Sequence, residues 1–103
     1  MPRAYGHKFL LELQNGDPVR LGTQLGRACV ESNLPAAYIA KTLEVSKTTI
    51  YAWFRGQGVR ENKRAMIEAL IKMIEEDLQS NLLPVSSVAS AKLYLRDRIG
   101  VEI

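Results

Sequence analysis

The residues best equipped for chemistry lie in one short stretch, KTTIYAWFR, from Lys47 to Arg55. Read as a helix, it turns Ile50 and Trp53, three apart, to one face and leaves Lys47, Thr48, Thr49 and Tyr51 outside. An ammonium, two hydroxyls and a phenol make a hydrogen-bonding set suited to the edges of bases. Lys donates to guanine acceptors, Thr hydroxyls donate or accept, and Thr methyls meet a thymine methyl. Lys47 and Thr48 stand at the helix N-terminus, where a groove would be entered first; Lys47 can equally meet a phosphate. Bond-making chemistry has no comparable constellation. There is no nucleophile–base arrangement, no glycine-rich phosphate loop and no paired-carboxylate signature, and Glu75-Glu76-Asp77 reads as a helix end. The chain has a single Cys29 and a single His7, far apart in sequence, which is no zinc site. No enzyme activity, metal or cofactor is expected.

A helix that reads bases must be held from behind. The stretch AAYIAKTLEVSKTTIYAWFR, residues 36–55, supplies the holder. Its first part reads as a helix over 36–43, with Ile39 and Leu43 on one face and Ala40 small enough to admit a crossing helix. Val45 plugs the turn. Ser46 is an N-cap for a second helix over 47–55, its hydroxyl accepting from the Thr48 or Thr49 amide. Gly56 stops that helix. Two short helices and a tight turn make a helix-turn-helix, whose second helix is the reader of the major groove. The same pattern also serves as a plain helical core in domains that never touch DNA.

The phrase LEVSKTTIYAWFRG resembles the turn and recognition helix of the lambda-repressor and Cro-like family, and the resemblance extends over roughly residues 21–70. It implies an all-α, lambda-repressor-like helix-turn-helix bundle that binds double-stranded DNA. By the same resemblance Arg55 touches the phosphate backbone, which a guanidinium suits. Two positions depart from the family. Glu44 stands where Gly is frequent, so a left-handed backbone at Glu is expected, at a cost on the order of 1 kcal/mol. Ala36 stands where Gln often braces the recognition helix.

Charge is distributed in keeping with this. The formal net charge is only +3. Residues 41–64 nevertheless hold six basic side chains (Lys41, Lys47, Arg55, Arg60, Lys63 and Arg64) against Glu44 and Glu61, a net +4. Residues 65–103 hold four basic and six acidic ones, a net −2. Positive charge thus sits on and just after the motif. Arg60, Lys63 and Arg64 open the next helix against its macrodipole, which favours a phosphate role for them. Lys41 is a weaker candidate of the same kind. Trp53 fits the motif's core position, and Phe54 is expected to pack on the following helix, with base stacking as its other use.

The remaining elements frame the motif. Residues 1–17 form an N-terminal segment with a short helix ended at Asn15-Gly16, or else a strand leading into a hairpin. Asp17-Pro18 reads as an N-cap and first position of a helix running to about Asn33, with Leu21, Leu25, Ala28, Cys29 and Ser32 on one stripe. Cys29 is therefore a small core residue. The motif core spans 18–70. A long helix over 60–80 outlasts the core it should cover, and a last helix, capped by Ser86 or Ser87 and ended at Gly100, follows. Segment 71–103 is read as an oligomerisation extension through Ile71, Ile74, Leu78, Val88 and Leu95, unless the last helix folds back on the long one. No run approaches the ~18 apolar residues of a membrane span, and the N-terminus lacks a signal-peptide core. A cytoplasmic bacterial or bacteriophage protein is expected. Its expected form is a homodimer or higher homo-oligomer on DNA, acting as a repressor-like regulator. The rivals are a DNA-packaging adaptor similar to small terminase subunits and a helical protein-interaction module.

Overall fold

The computed structural model describes residues 5–103; the first four residues of the expected N-terminal segment lie outside them. All regular structure among the described residues is helical. The elements are α1 His7–Gln14, α2 Leu21–Ser32, α3 Ala36–Thr42, α4 Lys47–Phe54, α5 Glu61–Gln79 and α6 Val88–Ile99. The chain is an all-α bundle, and the N-terminal segment holds a helix rather than a strand.

Helix ends follow local chemistry at most positions. Ser46 caps α4, its hydroxyl oxygen accepting from the Thr49 amide at 3.1 Å, and Ser87 caps α6 through the Ser90 amide at 3.1 Å. Five helices end on a residue in the left-handed region: Asn33 (φ 60°), Glu44 (φ 58°), Gly56 (φ 97°), Asn81 (φ 66°) and Gly100 (φ 81°). Each reversal returns an amide to a carbonyl that the helix would otherwise leave open, as Val45 N does to Ala40 O at 3.0 Å and Gln57 N to Ala52 O at 3.1 Å. The left-handed Glu44 is the backbone that the sequence led us to expect.

The start of α2 is a correction. Asp17 does not cap it. Its carboxylate accepts from the Val19 amide at 3.0 Å and closes a local turn, and the helix begins at Leu21 behind Arg20. Asp-Pro serves an Asp-centred turn as well as a helix start, and Gln24 stabilises the turn by donating to the Pro18 carbonyl at 3.1 Å.

α2 is the central strut. A Cβ built on Gly22 would lie 2.1 Å from the Trp53 carbonyl oxygen, so the α2 and α4 backbones touch there. One turn later, Gly26 leaves room for the Phe54 ring. The α2–α4 crossing is thus set by glycines of α2, beyond the small Ala40 of α3. Leu25, Cys29, Leu34, Ile39, Ile50, Ile67, Ile74 and Leu95 are fully buried in one continuous core that also takes in Tyr5, Leu83, Val85 and Ala91. Burial pushes the Cys29 thiol up to about 12, which leaves it a packing residue.

The C-terminal third belongs to this core. Val85 N donates to Ser32 O at 3.0 Å, and the Asn33 side-chain amide donates to Val85 O at 3.0 Å, latching the 81–87 loop to the end of α2. Asp77, only 4% exposed, is no free acidic helix end. It accepts from the Tyr94 hydroxyl and from Arg98 Nε at 2.8 Å and Nη2 at 3.3 Å, clamping α6 to α5. Burial first, and then the Asp77 carboxylate, raise the Tyr94 phenol above its ordinary value. The oligomerisation expectation changes accordingly. Ile71, Ile74 and Leu95 are buried within the chain itself and Leu78 is half-buried, so the long helix is covered within the chain, chiefly along α2, with α6 held to it at Asp77. Val88 alone of the five is exposed, at 57%.

Candidate nucleic-acid interface

The candidate surface is built on α4. Ile50, Trp53 and Phe54 face inward, all 5% exposed or less. On an α-helix those positions leave Thr48, Ala52 and Arg55 on the far side; Lys47, three before Ile50 and seven before Phe54, is phased with the inner face and is exposed at the first position of the helix. Lys47 and Thr48 are exposed at the α4 N-terminus, beside the turn. Thr49 is half-buried, and its side chain joins the cap: Ser46 Oγ donates to Thr49 Oγ1 at 2.9 Å. Sequence spacing had placed all of these on one open face; Thr49 instead shares its hydroxyl with the cap.

Trp53 and Phe54 are adjacent, yet both are buried. The Trp53 backbone lies against Gly22 of α2, while the Phe54 ring meets Gly26 of the same helix and an aromatic cluster to which α1 contributes Phe9. Phe54 thus has neighbours on α1 and α2 that the sequence did not suggest, in a core cluster that also holds residues of the following helix. Its ring lies 5.8 Å from Phe9 and 6.5 Å from Tyr5. Tyr51 joins the same cluster, edge-on to Phe9 at 5.3 Å and to Phe54 at 5.7 Å. Its ring is half-buried against α1 rather than projecting freely. Edge-to-face pairs of this kind add about 0.5–1.5 kcal/mol each to the burial itself. Tyr5 anchors the cluster by donating its hydroxyl to the Leu34 carbonyl, and burial holds that phenol well above its ordinary value.

The basic residues divide by task. Lys63 is committed: its ammonium donates to the Leu43 carbonyl at 2.8 Å, satisfying a carbonyl at the end of α3 and bracing the turn ahead of α4. That gives the cation in the first turn of α5 a structural task within the fold, beside the phosphate contact expected of it. Lys41 and Arg60 are exposed and Arg64 is half-exposed. Arg55 is exposed, with Nε 3.5 Å from the Glu12 carboxylate of α1 and its guanidinium carbon 5.9 Å from the Tyr51 ring centre.

Sequence reasoning missed three contributors. Glu12 and Phe9 reach α4 from about 40 positions away, and no local pattern announces that. Arg27 was also overlooked; its Nη2 donates to the carbonyls of Leu13, Gln14 and Gly16 at 3.3–3.4 Å and so seats the end of α1 against α2. The available signal was an Arg on the flank of an otherwise apolar stripe, opposite an Asn-Gly helix end.

Among the described residues, no group of three or more His, Cys, Asp or Glu could hold a metal ion. Among the same residues, no helix is long and apolar enough to cross a membrane. The chain matches no protein-family model, no curated protein and no solved structure.

Proposed function

We propose that this chain binds double-stranded DNA by laying α4 in the major groove, and that it is a repressor-like transcriptional regulator of a bacterial or phage-infected cell. The observation that carries the reading is the pair of faces on α4. Ile50, Trp53 and Phe54 anchor the inner face in the core, while Thr48 stands exposed on the outer one and Lys47 is exposed beside it at the first position of the helix. Nothing in the packing requires those two side chains. Lys47 supplies a donor for guanine or phosphate, and Thr48 supplies a hydroxyl and a methyl. Lys41, Arg60 and Arg64 supply positive charge for flanking phosphates. The resemblance of LEVSKTTIYAWFRG to lambda-repressor-like recognition segments supports the same reading. Two copies on a two-fold site would place their α4 helices about one DNA turn apart.

The test is selection of bound sequences from random duplex DNA, beside a solution mass. A palindromic consensus, a dimer mass and loss of selectivity in Lys47→Ala/Thr48→Ala are expected. Affinity should fall with salt at about 0.9 log units per log unit of salt for each phosphate engaged. Unselective binding by a ring of many subunits would replace the regulator with a DNA-packaging adaptor. No binding at low salt would overturn DNA recognition and leave a protein-interaction module.

A further inference from the structure

We infer that Arg55 reads a guanine base, aimed by Glu12 and Tyr51, rather than gripping the phosphate backbone; the inference rests on the DNA-binding reading above.

Position is the first argument. Thr48, Ala52 and Arg55 stand four and three apart and form one line on the side of α4 away from Ile50 and Trp53. Arg55 therefore shares the outward line of the residue placed at the helix entrance. Ala52 between them has no side chain beyond Cβ to hold a groove away.

Geometry is the second. Arg55 Nε donates toward Glu12 Oε2, and the guanidinium lies over the Tyr51 ring. That ring is itself wedged between Phe9 and Phe54. An exposed ion pair alone holds little. Here the pair fixes one edge of a planar group and the ring supports its face. A guanidinium has five N–H donors in a rigid fork. With Nε turned to Glu12, the four donors on the two Nη atoms remain, and that outer edge matches guanine O6 and N7 in the major groove. At 59% and 41% exposure, Arg55 and Glu12 are open to a duplex.

Charge is the third. A phosphate on the outer edge of Arg55 would face the Glu12 carboxylate across a single guanidinium, like charge to like. A guanine edge carries two acceptors and no net charge, so Glu12 opposes the phosphate and tolerates the base.

The experiment uses the full chain, its selected consensus duplex, single substitutions of each G·C pair in it, and an unrelated duplex, across a range of salt. The wild type is expected to discriminate at one G·C pair by about five- to 150-fold, the range of one good base contact. Arg55→Ala and Arg55→Lys should both erase that preference while leaving the others and the salt slope intact. Glu12→Gln should weaken the preference at that pair and leave affinity for unrelated duplex equal or higher. Uniform weakening by Arg55→Ala on every duplex, with a salt slope smaller by about 1, would assign Arg55 to phosphate and overturn the inference. An unchanged base preference in both Arg55 variants would overturn it as well. Wild-type binding without any sequence preference defeats the guanine contact and leaves DNA binding standing. Failure of the wild type to bind any duplex at low salt defeats the reading beneath it.

Discussion

Gly22→Ala should be among the most damaging single-methyl changes this chain can receive. The added Cβ would lie 2.1 Å from the Trp53 carbonyl oxygen, 2.6 Å from its carbon and 2.9 Å from its Cα. All three neighbours are backbone, so no rotamer change relieves the clash. Ordinary contact begins near 3.4 Å, so α2 and α4 must part by roughly 1.3 Å. A gap of about 0.5–1 Å already forfeits a quarter to a half of the dispersion energy across a contact. Overpacking a core costs about 1–3 kcal/mol where side chains can yield, and more where they cannot. Alanine returns about 1 kcal/mol of helix propensity. The net loss should be about 2–4 kcal/mol, a large part of the ~5–15 kcal/mol that holds a domain folded. Gly26→Ala is the internal control. Its nearest neighbours are Leu13 Cδ1 at 2.8 Å and the Phe54 ring at 3.1 Å, which are side-chain atoms that can shift. That variant should lie within about 1 kcal/mol of wild type. Urea unfolding followed by circular dichroism at 222 nm measures both. A Gly22→Ala midpoint equal to wild type, or a Gly26→Ala loss exceeding it, would refute the claim that backbone contact sets the α2–α4 crossing.

Three further outcomes are expected. Ser46→Ala and Ser87→Ala each remove an N-cap acceptor and should each cost about 1 kcal/mol in urea unfolding, whereas Ser86→Ala should cost almost nothing. Lys63→Ala frees the Leu43 carbonyl and should lower stability by about 1 kcal/mol in the absence of DNA, a loss that a residue serving phosphate alone would not show. Alkaline pH should destabilise the fold. The Cys29 thiol is raised from 9.0 to about 12, so its contribution is complete below pH 9 and is lost as pH climbs toward 12. Stability measured from pH 8 to 11 should therefore decline, and Cys29→Ala should flatten the part that begins near pH 9; an unchanged slope in that variant would exclude the thiol as its source.

What was legible in the sequence was local. Ser46, Glu44 and Gly56 announce the turn and both ends of α4 because capping is settled within five residues. The outward phase of Thr48 follows from three buried neighbours on the same helix, and the exposure of Lys47 from its place at the first position of that helix. Asp17-Pro18 misled because the same carboxylate can close a turn or cap a helix, and only the position of Gln24 decides between them. Phe54, Tyr51 and Arg55 could not be placed from α4 alone, since their neighbours Phe9 and Glu12 come from α1. The long face of α5 was visible as apolar periodicity. Periodicity says that a face is covered without saying by what, and so Ile71 and Ile74 were assigned to a second subunit when the chain's own core covers them. Asp77, in line with Met66, Leu70 and Met73, broke the apolar pattern; that was the one sign of the buried clamp with Tyr94 and Arg98.

The latch between the 81–87 loop and the end of α2 bears on how portable this unit is. Leu83 and Val85 fill the core from that loop, Ala91 and Leu95 from α6, and the backbone of Val85 holds Ser32 and Asn33 in place. A graft of residues 18–70 into another protein would carry the α3–α4 reader without the segment latched to the end of α2 and without the aromatic shelf that α1 sets beside it. The motif is therefore not a cassette. Whatever α4 recognises, its orientation is held by segments that lie before and after it in the chain, and they would have to travel with it.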